Sequence, residues 1–356
     1  MSLKKYNELY NIINKLPRIS LANLPTPLEN ANNLTKLLDG PNIYFKRDDL
    51  TGLPLAGNKT RMFEFSLAKV LNEKIDIVLS GASVQSNYCR QLVFACNKIG
   101  LKVFLVLLNL RGKKDHEIQG NLFLDLLGGS NVRIIKSNLK DLRKCLEKVK
   151  NELETKYNKK VHLMRGTDED IALEGIGYVN CGLELYKQLL EKKLSINYIY
   201  ACSSDTTQAG MLVANKYLGA GWKIVGITPS DKDMDTRSKI KSIANNISAM
   251  LKLGIEIKDE EVNNLSDYVG ERYGISSKGS IEAIELIAKS ESIVLDPIYT
   301  GKGMAGLLDH IKKGKFKKSE NIIFLNTGGF PSIFAFSDEF DFSDRLTVCD
   351  EEYFIS

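Results

Sequence analysis

The chain has 356 residues, of which 43% are hydrophobic and 26% are charged, an ordinary composition for a globular protein. Its 49 basic residues are scattered among 44 acidic ones and leave a net charge of +5, which argues against a nucleic-acid-binding protein. Its apolar runs fall short of the roughly 18 residues that a membrane span needs. The length predicts two lobes or one large domain.

The N-terminal sequence MSLKKYNELYNII has polar residues that interrupt any apolar core of a secretory signal, so we expect a cytoplasmic protein. Six cysteines show neither CxxC spacing nor clustering with the three histidines, which indicates free thiols and no metal site. These cysteines are Cys89, Cys96, Cys145, Cys181, Cys202 and Cys349.

Short β-branched or aromatic runs alternate along the chain with longer segments of helical periodicity. The predicted strands are Asn42–Lys46, Ile75–Ser80, Lys102–Leu108, Val132–Lys136, Tyr198–Ala201, Lys223–Ile227, Ile293–Leu295 and Ile322–Leu325. The predicted helices include Gln85–Ile99, Lys140–Thr155, Ala172–Leu190 and Thr207–Tyr217. Runs that are apolar throughout are typical of strands covered on both faces, so the pattern predicts an α/β fold with mainly parallel sheets flanked by helices.

Ligands of such folds bind beyond the carboxyl ends of the strands, where loops lead into helices. Four of these junctions are rich in small and polar residues: Ala56–Arg61, Gly81–Asn87, Cys202–Gly210 and Asn326–Pro331. An active site is therefore expected at these loops.

The first junction contains Lys59 at a predicted helix start. A cation there opposes the helix dipole, which gives it little structural purpose. One interpretation is an amine that forms a Schiff base with an aldehyde cofactor. On this loop alone, a solvated lysine beside a turn is the more common arrangement.

The second junction places Ser86 and Asn87 at a helix start, where free backbone N–H groups and a small hydroxyl suit a carboxylate or phosphate. Ordinary helix capping by these residues is the alternative. The third junction, Cys202–Gly210, has four hydroxyl residues before a helix, which would cradle a phosphate or serve as a polar cap.

The fourth junction, Asn326–Gly329, carries two glycines that permit close backbone approach to a flat ligand, with a tight left-handed turn as the alternative. Thr327 would face a ring nitrogen of such a ligand. One lysine, one carboxylate cup, one phosphate cup and one Gly-Gly turn together are the set that a pyridoxal phosphate enzyme needs.

Several motifs then resemble, in family order, the D-cysteine desulfhydrase and 1-aminocyclopropane-1-carboxylate deaminase family of fold type II, tryptophan-synthase-β-like enzymes. They are GNKTR at 57–61, VQSN at 84–87, TQAG at 207–210, DPIYTGKGMAGL at 296–307 and NTGG at 326–329. The resemblance runs from about residue 20 to about residue 335. It implies a pyridoxal 5'-phosphate cofactor, a homodimer and two domains: residues 1–61 plus 171–356, which bind the cofactor, and the smaller 62–170.

The resemblance also implies roles for individual residues. Lys59 would hold the cofactor and carry the Cα proton. The catalytic set would be Lys59, Ser86, Tyr273 and Tyr299. The cofactor would be bound by Lys59, Asn58, Asn87, Ser204, Asp205, Thr206, Thr207, Gln208 and Thr327. The substrate would contact Ser86, Asn87, Tyr88, Tyr273 and Tyr299.

Two positions distinguish activities within this family. The deaminases typically carry an acid after the tyrosine of DPxY and a leucine before Gly-Gly, whereas this chain has Thr300 and Thr327. This favours α,β-elimination of D-cysteine to sulfide, pyruvate and ammonia. The alternatives are a 1-aminocyclopropane-1-carboxylate deaminase or related ammonia-lyase and, in another class, a catalytically weak amino-acid-binding relative.

The chain departs from the family pattern at several positions. Asp205 replaces a glycine in the phosphate cup, where a carboxylate would repel phosphate; the alternatives are that it turns outward, caps the helix or weakens cofactor binding. Tyr88 replaces histidine or glutamine and would reshape the substrate pocket. The acids of 168–170 would favour a cationic amino acid or form a solvated turn. A G-x-G-x-x-G string at 301–306 lies several residues after the predicted strand Ile293–Leu295, and the next strand has no acid for a ribose, which argues against a nucleotide site.

Overall fold

The computed structural model describes residues 3–55 and 57–346, which contain two β-sheets and eleven α-helices. The strands are β1 Leu28–Asn30, β2 Asn42–Arg47, β3 Ile77–Ser83, β4 Lys102–Leu108, β5 Asn131–Ile135, β6 Val161–Leu163, β7 Tyr198–Cys202, β8 Lys223–Ile227, β9 Asn263–Leu265 and β10 Asn321–Asn326. The helices are α1 Leu3–Asn14, α2 Asn32–Leu38, α3 Lys59–Asn72, α4 Asn87–Lys98, α5 Gly120–Leu127, α6 Leu139–Tyr157, α7 Asp168–Glu191, α8 Thr206–Leu218, α9 Thr236–Met250, α10 Lys278–Glu291 and α11 Thr300–Lys312.

The larger sheet has six strands in the order β1-β2-β10-β7-β8-β9, and every neighbouring pair except β1–β2 is parallel. Residues from α3, α7, α8 and α9 form one apolar core with this sheet, and residues from α2, α10 and α11 form another. Both cores include β10, where Ile323 and Phe324 are fully buried on alternate faces. Coverage on both faces explains why these strands are apolar throughout, and it confirms the predicted fold class.

The smaller sheet is entirely parallel, with the order β5-β4-β3-β6. Its strands lie between Ile77 and Leu163, inside the segment 62–170 that we predicted to be the smaller domain. The domain boundaries themselves stay a prediction. All four carboxyl-terminal ends point the same way, so the loops after β3 and β6 meet at one edge.

The predicted strand Ile293–Leu295 is wrong. Ile293 and Leu295 are buried and Val294 is exposed, an alternation typical of a strand, but the segment pairs with no other strand in the described part of the chain. It is a connection without regular secondary structure, and Ile293 and Leu295 pack onto the core before α11. The glycine string 301–306 lies within that helix, so it does not form a nucleotide-binding turn.

Cys89, Cys96, Cys145, Cys181 and Cys202 are free thiols, whereas Cys349 lies outside the described residues. Within residues 3–55 and 57–346, no three His, Cys, Asp or Glu side chains are grouped as they would be around a metal ion. None of the helices in the same ranges is both long enough and apolar enough to cross a membrane.

Candidate active site

A cleft of about 510 Å³ opens where the strand ends of the two sheets meet. Its walls come from the loops after β3, β6, β7, β8 and β10, as expected for parallel sheets. The volume is within the range of small-molecule sites. Of the predicted site residues, it is lined by Asn58, Lys59, Ser86, Asn87, Tyr88, Ser204, Asp205, Thr207, Tyr273, Tyr299 and Thr327.

Lys59 is the first residue of α3, as the sequence predicted, and three contacts fix the preceding loop. The backbone N–H of Asn58 donates to the Thr327 carbonyl at 3.0 Å, and its side-chain amide donates to the Thr207 hydroxyl at 3.1 Å. Gly57 forms a β-bridge with Gly328 so closely that a Cβ would lie 2.7 Å from the Thr327 carbonyl. Only glycine fits there, and the loop presents Lys59 to the cleft.

The amine of Lys59 has the chemistry of a nucleophile. Burial lowers its pKa, and the negative charge of Asp205 offsets this only in part. The nitrogen lies 5.9 Å from the centre of the Tyr88 ring. A lowered pKa increases the fraction of free amine, which is the form that attacks an aldehyde.

The second predicted cup lies at the start of α4. Ser86 caps this helix, and its hydroxyl accepts from the Cys89 N–H at 3.2 Å. The Asn87 amide donates to Asp296 at 3.2 Å and accepts from Asn121 at 2.8 Å. The fixed amides and the positive end of the helix dipole give this wall an affinity for a carboxylate.

Two tyrosine hydroxyls meet at the wall of the cleft. The hydroxyls of Tyr273 and Tyr299 are 2.8 Å apart, and that of Tyr273 is 3.4 Å from the Ser83 hydroxyl. Burial raises the pKa of both tyrosines. Both phenols therefore keep their protons at neutral pH, and a proton donated by one can be replaced through the other.

The predicted phosphate cup is only partly directed at the cleft. Ser204, Asp205 and Thr207 line it, but two other predicted side chains turn away. The Thr206 hydroxyl donates to Asp205 at 3.2 Å and contacts the Met62 sulfur at 3.6 Å. The Gln208 amide donates to the Asn263 carbonyl at 2.7 Å. The cofactor-binding roles of Thr206 and Gln208 stay predictions.

A chain of charged groups runs through the same end of the cleft, and we call it the Arg165 network: Tyr88, Glu174, Arg165, Asp205 and Lys239. Arg165 donates to Asp205 at 2.9 Å, and its Nε lies 3.2 Å from a Glu174 oxygen. The other Glu174 oxygen accepts from the Tyr88 hydroxyl, and the Lys239 amine is 3.6 Å from Asp205.

The two carboxyl groups of the Arg165 network have pKa values shifted in opposite directions, because charge dominates at Asp205 and burial dominates at Glu174. Burial opposes ionisation of Asp205, but Arg165, Lys239 and Lys59 together hold its pKa well below the usual range. Burial raises the pKa of Glu174, against the lowering effect of Arg165. Asp205 is therefore a firmly ionised group in the cleft, whereas Glu174 takes up a proton more readily.

Four charged residues that line or adjoin the cleft were not among the site residues predicted from the sequence: Arg165, Glu174, Lys239 and Asp296. Glu174 is a lone acid in an otherwise apolar helical stretch, and this was a usable signal. Burial raises the pKa of Asp296, within the DPIYT motif, to about 7. Lys239 lies in a helix with several other polar residues, and nothing in the sequence distinguished it from them.

The three acids at 168–170 do not line the cleft. They open α7, where Thr167 and Asp170 form a capping box and negative charge favours the helix dipole. Asp170 also accepts from Lys69 at 2.9 Å. Asp168 and Glu169 are exposed, so the solvated interpretation holds for these two acids, whereas Asp170 is buried and the segment is a helix start and not a turn.

The residues in the cleft fit pyridoxal phosphate at all but one position. The cavity brings together a buried amine, a helix N-terminus, two cations and the Gly-Gly turn. A Cβ on Gly329 would lie 2.2 Å from an Asp296 oxygen, so this turn requires glycine. The exception is the Asp205 carboxylate at the start of α8.

Comparison with known proteins defines the class. Residues 19–328 match the family described as "Pyridoxal-phosphate dependent enzyme", so the chain belongs to this family and shares its cofactor. The D-cysteine desulfhydrase of Yersinia enterocolitica is 34% identical over 327 residues, covering 90% of this chain and 96% of that protein. The 1-aminocyclopropane-1-carboxylate deaminase of a Bradyrhizobium species is 31% identical over 331 residues, covering 91% and 97%.

Solved structures agree on the fold. A crystal structure of a 1-aminocyclopropane-1-carboxylate deaminase homologue superposes with a TM-score of 0.83 at 28% identity and covers 93% of this chain and 98% of its own. A tomato (Solanum lycopersicum) threonine deaminase shares the fold with a TM-score of 0.62 at 17% identity, covering 94% and 87%. The predicted fold type II architecture is confirmed.

Proposed function

We propose that the protein is a pyridoxal-phosphate-dependent lyase that eliminates the β-substituent of a small amino acid, with D-cysteine as the preferred substrate. The observation that carries this proposal is the Lys59 amine, with its lowered pKa, in the same cleft as the paired Tyr273 and Tyr299 hydroxyls. The Lys59 amine supplies a base at Cα, and the tyrosine pair supplies an acid for a leaving group, as β-elimination requires.

Each wall of the cleft has one task in this proposal. Lys59 would bind the cofactor aldehyde, and Thr327, an uncharged residue that lines the same cleft, would contact its ring. Ser86 and Asn87 receive the substrate carboxylate at the start of α4. Tyr88, held by Glu174, closes the pocket beside the amine and limits the size of the side chain it admits.

The reaction breaks two bonds of the substrate. Pyridoxal phosphate, when bound, withdraws electrons from Cα and so acidifies its proton. Once the substrate amine has replaced it on the cofactor, the freed Lys59 amine would accept this proton, the Cβ–S bond would break, and the tyrosine pair would protonate the departing sulfide. The remaining three-carbon unit takes up water and yields pyruvate and ammonia, which balances the atoms of D-cysteine.

The preference for sulfide elimination rests on Thr327, which lines the cleft, and on Thr300, whose hydroxyl accepts from the Asp296 N–H at 2.7 Å. Opening of the cyclopropane substrate is the second candidate, because a deaminase is 31% identical to this chain, close to the 34% of the desulfhydrase.

A panel of D- and L-amino acids, with 1-aminocyclopropane-1-carboxylate included, tests the proposal by release of keto acid, ammonia and sulfide. We expect D-cysteine to give all three products in equal amounts. Lys59→Ala is the matched control and should remove turnover together with the visible absorbance of the cofactor. Keto acid from the cyclopropane substrate alone would establish the second candidate, and no product from any compound would reject both.

Tyr299→Phe separates chemistry from binding. Because the phenol is proposed to donate a proton to the leaving group, we expect turnover to fall by roughly 10²-fold or more while cofactor affinity stays close to that of the parent protein. Steady-state kinetics and a cofactor titration measure the two effects. A loss of cofactor affinity with unchanged turnover would contradict the assignment.

We also propose that the protein is a cytoplasmic homodimer with its domains divided at 1–61 plus 171–356 and 62–170. Exposed apolar side chains around α5 support a subunit interface: Ile118, Phe123, Leu126 and Leu127. Light scattering coupled to gel filtration should give twice the chain mass, and Leu127→Glu should reduce it to one chain. A monomer before substitution would reject the dimer.

A further inference from the structure

Asp205 is at the end of the cleft where the cofactor phosphate is expected. Its carboxylate caps α8 and accepts from the Thr206 N–H at 2.7 Å. A helix N-terminus preceded by hydroxyl residues is a ready anion site. In this protein the Asp205 carboxylate, a side chain of the protein itself, already occupies the anion position at the start of α8.

Two cations hold the carboxylate there. Arg165 donates to it at 2.9 Å, and the Lys239 amine lies 3.6 Å from the same oxygen. Both cations line the cleft and face the position that a phosphate would take. A phosphate that enters must therefore share, or take over, the partners of Asp205.

Arg165 is itself held between two acids. Besides Asp205, it meets the buried Glu174, whose other oxygen is bound to the Tyr88 hydroxyl. Its backbone φ of 58° lies in the left-handed region, which side chains other than glycine seldom adopt. A strained backbone that places an arginine in a binding cleft is typical of a functional position.

We propose that Asp205 is a resident anion that competes with the cofactor phosphate for Arg165, Lys239 and the α8 N-terminus. The inference rests on the proposed function, because it places the phosphate in this cup. It follows that the phosphate contributes little to cofactor affinity in this protein, and that removing the Asp205 charge frees both cations to bind it.

Two ligands separate the phosphate from the rest of the cofactor. Full-length protein stripped of cofactor is titrated with pyridoxal phosphate and, separately, with pyridoxal, which lacks the phosphate. Absorbance of the imine reports binding of each. Asp205→Asn is the main variant, since asparagine caps helices as well as aspartate does and keeps an oxygen for the Thr206 N–H.

We expect Asp205→Asn to bind pyridoxal phosphate at least about tenfold more tightly, because a like charge is removed and two cations are released. Its affinity for pyridoxal should change much less, because Asp205 acts on the aldehyde end only through its charge near Lys59, an effect that both ligands share. Lys239→Gln, a change at a half-exposed side chain, should weaken pyridoxal phosphate and leave pyridoxal unaffected.

Asp235→Asn is the matched control. Asp235 caps α9 as Asp205 caps α8, but it is exposed and does not line the cleft. We expect no change with either ligand.

Equal changes for both ligands, or none in Asp205→Asn, would overturn the inference even if the imine forms normally. Absence of an imine band with both ligands in the parent protein would instead reject the proposed function. In that case the rise in melting temperature caused by inorganic phosphate, measured for the parent protein and for Asp205→Asn, still tests the inference. Larger stabilisation of Asp205→Asn than of the parent protein supports a resident anion, and equal stabilisation rejects it.

Discussion

Two arginines of this protein each lie between two carboxylates, but their surroundings differ. Arg61, two residues after Lys59, bonds Asp48 at 2.8 Å and Glu184 at 2.9 Å, and every guanidinium nitrogen donates a hydrogen bond. Arg165 bonds Asp205, but its Nε and the Glu174 oxygen 3.2 Å away both lack a hydrogen-bond partner among the described residues.

Exposure separates the two sites further. The Arg61 side chain is 1% exposed and that of Arg165 is 25% exposed. A buried ion network with all its bonds made fixes one geometry, and the Arg61 network holds the start of α3 that presents Lys59. An incomplete network beside a cleft keeps free bonding capacity, which suits a ligand site. The first network therefore supports the site, and the second belongs to it.

Arg61→Gln should produce the largest change in stability. It leaves the fully buried Asp48 charge without its main partner, and breaking a buried ion pair in this way costs about 3–5 kcal/mol. Chemical denaturation measures the free energy of unfolding. A loss below about 1 kcal/mol, the level of an exposed ion pair, would show that the two networks do not differ as described.

Arg165→Gln should cost less, about 1–2 kcal/mol, since Asp205 keeps Lys239 as a partner and Glu174 can be protonated. The same substitution should weaken binding of pyridoxal phosphate more than binding of pyridoxal. Denaturation and ligand titration on one preparation check both effects. If stability fell as far as in Arg61→Gln and ligand affinity did not change, Arg165 would be structural.

The smallest effect concerns pH. The pKa of Glu174 is raised by burial, so this carboxyl favours folding below its unfolded pKa of about 4.3 and loses that contribution as pH rises through the folded value. Glu174→Gln should therefore gain stability relative to the parent protein as pH rises from about 4 to 8.

Asp48 provides the contrast. Burial alone would raise its pKa, but the Arg61 charge lowers it below the ordinary value. Its stabilising contribution is present above the unfolded pKa of about 3.9 and is lost as pH falls. Asp48→Asn should thus lose most stability at neutral pH and little at acid pH. Parallel pH profiles for the two variants would contradict the opposite shifts.

Much of the fold could be predicted because buried parallel strands leave a plain pattern. β4 and β8 lie where the apolar runs indicated, and α3 and α4 begin at the positions that the loop residues predicted. Three-residue strands such as β6 left no such pattern, since so short a run has no period. The segment Ile293–Leu295 was wrongly predicted to be a strand because its apolar residues pack onto the core without pairing with a strand.

The site was harder to predict than the fold. Loop motifs predicted Lys59, Ser86 and Thr327, and all three line the cleft between the strand ends of the two sheets. Arg165 and Glu174 were not assigned, since they are 9 positions apart and their pairing depends on how α7 packs beside the cleft. Charged residues that are brought together by tertiary packing show no characteristic spacing in the sequence by which they could be predicted.

The most direct test of the account is to locate the lysine that carries the cofactor. The protein, loaded with pyridoxal phosphate, is reduced with borohydride, digested and analysed by mass spectrometry. We predict a phosphopyridoxyl group on Lys59 and none on Lys302, a second buried lysine whose pKa burial lowers to about 8 but which does not line the cleft. Label on Lys302, or spread over exposed lysines, would contradict the account.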